Sequence, residues 1–445
     1  MTDAAPPRRG LARLTRPPIA LPPRQWQVLL LVGVAFLINQ YDLGVFGLAL
    51  PRIQASLGIG EGEIGNVTAL IRIGVLPAFA LAMLADRHGR RRMLMITIVG
   101  VALSNLATAF APDPTSFVIC QISARSFIGA EEMLSVVVVA EELDSRVRGW
   151  AIGALGALGS MGHGVAALMF GMVDILPHGW RSLYFLAAVP LLALAFLRRR
   201  LTETARFAQY RDSGPPASSL APLLALARAH PVRVAILAAA AAPVAFALAP
   251  SLLYVSKHLQ VDEGYSPAAV SLLYLTGGAV AMLGNLAGGR LADRLGRRAV
   301  LTAAALISPA LFAVFYGGSG AIVPAAWVGA IFTYFCVDVT LSALSTELFP
   351  TSSRATASAG RSLIWSVSAA GGLWAQGALL ELAGSASTAT IWVLALAPLT
   401  ALVVLLAMPR PRAKGSRTSR PNGRSSPPTG RRRRSRSVRP RSTGH

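Results

Sequence analysis

Leu84-Ala85-Asp86-Arg87-His88-Gly89-Arg90-Arg91 recurs as Leu291-Ala292-Asp293-Arg294-Leu295-Gly296-Arg297-Arg298, 207 residues further on. Each copy lies between two apolar runs. A second pair repeats at an offset of 206: Glu141 precedes Arg148 by seven residues, and Glu347 precedes Arg354 by seven. Two unrelated loops do not fall into one register by chance. The chain reads as a tandem of two similar membrane halves, the parallel-repeat organisation that supports solute transport.

Composition agrees with a membrane protein. Of the 445 residues, 53% are hydrophobic and 14% charged, against roughly a quarter charged in soluble domains. Apolar stretches of about 20 residues, the length that crosses a bilayer, recur along most of the chain. Small residues are many, which lets helices approach closely in lipid. The net charge of +22 is uneven: residues 409–445 hold twelve Arg, one Lys and no acid, and so supply +13 of it. Cys120 and Cys336 both fall in apolar runs and offer neither a disulfide framework nor metal spacing.

Twelve spans are expected, at 26–50, 64–85, 93–111, 116–140, 149–173, 180–197, 232–255, 268–292, 299–316, 321–344, 355–380 and 387–408. They divide the chain into an N-terminal tail (1–25), a six-helix bundle (26–197), a polar linker (198–231), a second six-helix bundle (232–408) and a basic tail (409–445). The first apolar run is too long for a signal peptide and has no small-residue cleavage site, so it reads as an uncleaved span. Loops with Arg87, Arg90, Arg91 and Arg92, with Arg146 and Arg148, with Arg294, Arg297 and Arg298, and with Arg354 share one side. The other side holds few basic residues: Arg52, Arg181 and Lys257. The positive-inside rule then makes the first side and both termini cytoplasmic, in the plasma (inner) membrane.

These residues resemble a known family. The paired G-x-L-A-D-R-x-G-R-R-type loops are similar to motif A of the major facilitator superfamily. The copy at residues 289–298 fits fully, and the other has Ala82 where the family prefers Gly. Arg125-x-x-x-Gly129 resembles its motif B. Tyr41-Asp42-Leu43-Gly44, Trp180-Arg181, Glu203-Thr204-Ala205-Arg206-Phe207 and Glu347-Leu348-Phe349-Pro350-Thr351 look like the sugar-porter and metabolite–proton-symporter branch. The resemblance implies an all-α fold of twelve transmembrane helices in two pseudo-symmetric six-helix bundles. Span five, Gly156-Ala157-Leu158-Gly159-Ser160-Met161-Gly162-His163-Gly164, lacks the Pro that drug–proton antiporters of the superfamily carry there, which lowers an efflux reading.

Ionisable residues at bilayer depth cost about 2.5–3.5 kcal/mol each on insertion scales, and those retained are usually paired, cavity-facing and functional. Seven polar candidates for proton coupling or substrate binding fall within the expected spans: Asp42, Arg72, Arg125, Glu131, Glu132, His163 and Asp338. Structural ion pairing is the plainer alternative for any one of them. Glu132 precedes Glu141 by nine residues and Asp338 precedes Glu347 by nine, so these two acids obey the repeat. Arg125, Gly129 and Glu132 share one helix face, and Glu131 points about 100° away toward another helix. Asp42 is the first choice for a proton carrier and Glu132 the second. Arg72 and Arg125 have two readings: binding a substrate carboxylate, or keeping the acids ionised.

By resemblance, the repeated loops form a cytoplasmic gate. Its members are Asp86, Gly89, Arg90, Glu141 and Arg148 in one half, and Asp293, Gly296, Arg297, Glu347 and Arg354 in the other, with Arg361 joining the same layer. A purely topological role for the arginines is the bland alternative. Gly89 and Gly296 allow the tight turn that a short loop needs.

The sequence therefore points to a secondary transporter of a small metabolite (an organic acid, a sugar or similar), coupled to protons as a symporter and working by alternating access. Alternatives are a proton-driven efflux antiporter and a transport-inactive membrane sensor. No nucleotide loop, nucleophile elbow or metal cluster suggests an enzyme or a cofactor. The expected partners are substrate, protons and the bilayer, with anionic lipid at the basic tail; no nucleic-acid partner is expected, and the chain is expected to be monomeric. Deleting residues 415–445 is expected to leave transport by correctly inserted protein unchanged, since the deletion touches no span. Loss of uptake at normal expression would show that the tail does more than bind lipid.

Overall fold

The computed structural model describes residues 17, 19–199, 221–350 and 353–407, with the side chains of Asp86, Arg87, Ser145, Ala221 and Ala355 excepted. All regular structure among them is helical. The first six spans are Pro23–Leu57, a broken pair Ile64–Ile73 and Val75–His88, Arg90–Ala109, Pro114–Glu142, Ser145–Gly171 and Trp180–Arg198. A short helix, Ala221–Ala229, precedes the second six. Span seven is Pro231–Leu253, prolonged by Val255–Lys257 and a π turn, His258–Asp262. Spans eight to eleven are Pro267–Leu295, Arg297–Gly317, Ile322–Glu347 and Arg354–Ala383, and span twelve is broken into Ala386–Leu394 and Pro398–Ala407.

Eleven of the twelve are long and apolar enough to cross a membrane. The twelfth is span four, which carries Arg125, Glu131 and Glu132 within eight residues. Its N-terminus is capped by a side chain. Asp113 accepts from the Ser116 amide at 3.0 Å, closing a capping box. Those amide bonds hold the Asp113 carboxyl below the ordinary aspartate range.

The internal repeat is visible in the backbone. Gly89 has φ 97° and ψ 145°, and Gly296 has φ 92° and ψ 144°. Only glycine adopts such a φ without strain. Each amide closes the preceding helix in the same way, Gly89 on the Ala85 carbonyl and Gly296 on that of Ala292, both at 3.1 Å. The two loops are one structural unit used twice.

Close helix approach positions the polar residues. A Cβ on Gly162 in span five would overlap the Leu37 carbonyl of span one, so only a hydrogen fits between these helices there. In the same way Gly129 of span four lies against Ala78, and Gly74 against Arg125 Cβ and the Ile122 carbonyl. Gly74 also marks the break in span two, where its carbonyl accepts from Ser126 Oγ at 2.8 Å. Gly129 thus serves the contact between spans two and four.

Two expectations about the linker need correction. Arg198 is no part of it. It is the last residue of span six and is fully buried, with Nη1 2.5 Å from Glu131 Oε1. It also donates to the carbonyls of Leu31 and Leu94, while Thr97 Oγ1 donates to Glu131 Oε2. Spans one, three, four and six are therefore joined around one dry ion pair. The second correction is the helix Ala221–Ala229, which packs on span eleven and places Leu226 in a cluster with Leu237, Phe349 and Ala357.

Removing one partner of a dry pair leaves an uncompensated buried charge, which costs about 3–5 kcal/mol. Arg198→Ala and Glu131→Ala are each expected to lower thermal stability in detergent sharply, whereas Glu131→Leu with Arg198→Met loses less than either. Melting curves measure this, and a single variant as stable as the parent would show that the pair does not hold the half together.

Candidate functional site

The two halves meet at the face opposite the repeated loops. There span one packs on the end of span seven, Ile64–Ile73 on span eleven, and span five on span eight. Hydrogen bonds that join the halves cluster at this end, as from Ser256 Oγ to the Leu48 carbonyl at 2.6 Å. Val75–His88, the second segment of span two, packs within its own half, on spans three and four. The interior is thus closed on one side and reached from the loop face.

The polar candidates sort by whether they reach this interior. Arg72 and His163 are solvent-exposed although protein surrounds them, which is the signature of a wet internal cavity. The His163 ring rests on Gly44 and has Nδ1 3.2 Å from the Gly159 carbonyl. Glu132 accepts from Gln40 Nε2 of span one at 2.5 Å. The Arg125 guanidinium lies over the Phe46 ring, 5.2 Å from its centroid, and its charge acts on both Asp42 and Glu132.

Arg125, not Arg72, is therefore the cation nearest in effect to Asp42. Asp42 is 1% exposed, and neither carboxylate oxygen has a hydrogen-bond partner among the described residues. Asn105 of span three faces it. Glu131 does not reach the cavity: with Arg198 it is sealed between helices, so its candidacy for coupling or binding gives way to a structural role, in the direction its helix position requires.

Arg72 repels Arg125 and faces Tyr334 across the interface between halves. Among the described residues it forms no ion pair with a carboxylate. The second half supplies a pocket of ≈ 210 Å³ lined by Tyr334, Asp338, Arg361, Ser362, Trp365 and Ser366. Asp338 pairs with Arg361 at 3.4 Å, and Tyr334 and Trp365 meet edge to face with centroids 6.4 Å apart. Arg361 accordingly belongs to the cavity and not to the loop layer. The sequence reading passed over Gln40, Asn105, Tyr334 and Trp365. The i, i+4 spacing of Tyr334 with Asp338 and of Arg361 with Trp365 could have found the last two.

At the loop face both halves repeat one ion pair. Arg90 Nη2 lies 3.4 Å from Glu141 Oε1, and Arg297 Nε lies 2.9 Å from Glu347 Oε1. Arg297 also reaches Asp293 at 2.7 Å and the Ala292 carbonyl at 3.1 Å. Arg148 lies in the first turn of span five, half-buried, and Arg354 opens span eleven, exposed. The Asp86 side chain, residues 203–207 and the tail 409–445 lie outside the described residues.

The Major Facilitator Superfamily profile matches residues 32–337 and, in a second alignment, 235–440. The chain belongs to the Major Facilitator Superfamily. A gallate transporter of Pseudomonas putida is 30% identical over 203 residues, covering 45% of this chain and 44% of that protein. A 3-(3-hydroxy-phenyl)propionate transporter of Escherichia coli K12 is 29% identical over 200 residues, 44% of this chain and 49% of its own. The 4-hydroxybenzoate transporter PcaK of Pseudomonas aeruginosa is 26% identical over 197 residues, 44% of each chain. The chain thus spans under half the length of these relatives.

Among solved structures, a bacterial homologue of the human lysosomal transporter Spinster, inward-facing and occupied, superposes with a TM-score of 0.72. Its identity is 17%, over 87% of this chain and 97% of that one. A D-xylose–proton symporter gives 0.70 at 16% identity, over 86% and 98%. At such identities the likeness establishes the fold.

If the Arg297 cluster acts between conformations and not on substrate, Asp293→Asn or Arg297→Ala is expected to slow uptake several-fold at unchanged substrate affinity. Initial rates and equilibrium binding on the same preparations separate the two. Weakened binding at unchanged turnover would count against a gating role.

Proposed function

We propose that this protein is a secondary transporter that carries an aromatic or aromatic-derived monocarboxylate together with a proton, by alternating access. The observation that carries the reading is Arg72: a cation at mid-depth, facing the wet cavity, with no carboxylate partner among the described residues and opposite Tyr334. A carboxylate would meet Arg72 and Arg125, whose mutual repulsion an anion relieves. The ring would lie against Tyr334 and Trp365 of the second half, so the solute would touch both halves at once. The named substrates of relatives, gallate, 4-hydroxybenzoate and 3-(3-hydroxy-phenyl)propionate, are of this chemical class.

Asp42 and Glu132 are the coupling acids in this reading. Both lie within the field of Arg125. A substrate anion arriving at Arg125 competes with them for that cation and so favours their protonated forms. Substrate and proton then bind together, which is what symport requires. With the two acids sharing one proton per substrate, one carboxylate and one proton move no net charge, so the driving force is the pH gradient alone, about tenfold accumulation per pH unit. The repeated loops lie at the cytoplasmic face in this reading, and the arginine–glutamate pairs there are the gate.

Asp42→Asn removes the titrating group and keeps its shape. In liposomes with an imposed pH gradient, uphill uptake of 4-hydroxybenzoate is expected to vanish, while counterflow without a gradient survives. Gradient-driven accumulation by the Asp42→Asn protein would remove Asp42 from the coupling step.

A further inference from the structure

The face opposite the loops holds a polar network with no part in the cavity. Gln54 in span one and Gln260 after span seven are 206 residues apart, the offset of the internal repeat. Each receives a cation from the other half. Lys257 Nζ donates to Gln54 Oε1 at 2.9 Å, and Arg52 Nε donates to Gln260 Oε1 at 3.2 Å. Gln260 Nε2 also donates to the Leu48 carbonyl at 3.2 Å. The arrangement is a reciprocal clasp between the halves, built from one pair of repeat-related side chains.

The two cations differ in their acids. Arg52 pairs with Asp174 of its own half at 2.6 Å, whereas Lys257 crosses to Glu61 at 2.5 Å. Gln54 Nε2 holds the other oxygen of Glu61 at 2.9 Å. The Lys257 side chain is 6% exposed and that of Glu61 is 61% exposed. Lys257 sits at the end of a three-residue helix, between the break at Tyr254 and the π turn His258–Asp262. Such local departures from the α-helix often mark functional positions.

Two seams flank the clasp, and they too are repeat copies. Gly65 of span two touches Gly377 of span eleven: a Cβ on Gly377 would lie 2.7 Å from Gly65 Cα. Ser271 of span eight touches Gly171 of span five, at 3.1 Å by the same construction. Gly65 and Ser271 are separated by 206 residues, as are Gly171 and Gly377. The seams bring the backbones together but contain no charge. The Lys257–Glu61 pair is the ionic link between halves at this face among the described residues.

We propose that Lys257, held by Gln54 and Glu61, is the clasp that sets how often the carrier opens to the face opposite its repeated loops. The inference rests on the alternating-access reading above and adds the residues that control its second state. Opening there must draw Lys257 away from Glu61. Gln54 and Glu61 stay bonded to each other within the first half, so the acceptor for Lys257 remains assembled while Lys257 gives up both partners and Gln260 and Ser256 release Arg52 and the Leu48 carbonyl. Closing then needs no rearrangement of the first half. Lys257 thus has a role beyond that of a stray basic residue on the side where basic residues are few.

The test is a distance distribution by pulsed electron paramagnetic resonance, which needs no substrate. Nitroxides go on cysteines at Ala55 and Ser319, both exposed at this face and in opposite halves, with Cys120 and Cys336 replaced by alanine. Lys257→Gln and Glu61→Gln are each expected to raise the ratio of long to short distances roughly fivefold, the worth of one partly exposed ion pair. The double variant is expected to go no further than either single one, because both remove the same link. Single variants that leave the ratio unmoved, or a double variant whose shift is the product of the two, would overturn the clasp. Two distances in the parent that no variant moves would sink the clasp alone. A single distance in every protein would sink the clasp and alternating access together.

Discussion

An ionised side chain inside a bilayer has two ways to persist: a partner that neutralises it, or water. That constraint sorts the charged residues of this chain. Glu131 and Arg198 take the first route, both fully buried and joined at 2.5 Å, and they tie four helices of the first half into one body. Arg72 and Glu132 take the second, around an interior that the loop face leaves open, and Asp338 and Arg361 combine the two, paired at 3.4 Å along a pocket. Asp42 fits neither route cleanly. It is buried, its oxygens lack hydrogen-bond partners among the described residues, and Arg125 and Asn105 are what it faces. A carboxylate so placed is sensitive to whatever else binds Arg125.

In the alternating-access reading, the internal repeat accounts for how such an interior could be opened from either side. Loops 84–91 and 291–298 have the same backbone turn and the same arginine–glutamate pair. The seams Gly65–Gly377 and Ser271–Gly171 are likewise one contact made twice. Each half is therefore a similar unit that meets the other along related surfaces at one face, with a layer of repeated ion pairs at the other. The residues that the proposed function uses to bind substrate are departures from the repeat. Arg72 and Arg125 belong to the first half alone, since the second half has Gly278 and Ile331 at those offsets, and Tyr334 and Trp365 belong to the second.

Much of this was legible in the sequence because it depends on local spacing. The repeated loops fixed the halves, the apolar runs placed the spans within a few residues, and the 100° step between neighbours turned Glu131 away from Glu132. The unread parts depend on distant partners. Arg198 stands before two further arginines, and nothing local separates the last turn of a span from the start of a polar linker; its partner lies 67 residues earlier. Lys257 and Gln54 are 203 residues apart. Tyr334 and Trp365 lie within apolar runs, where an aromatic that lines a cavity looks like one that fills a core.

In the proposed function anion binding and protonation are linked through Arg125 and its acids, and titration calorimetry of purified protein with 4-hydroxybenzoate reads that linkage most directly. Repeating the titration at one pH in buffers of different ionisation enthalpy gives the number of protons taken up per ligand. Uptake close to one proton, together with no measurable binding of the neutral methyl ester, is the expected result. Binding with no proton uptake, or equal binding of acid and ester, would contradict the coupling of a carboxylate to a proton in this cavity.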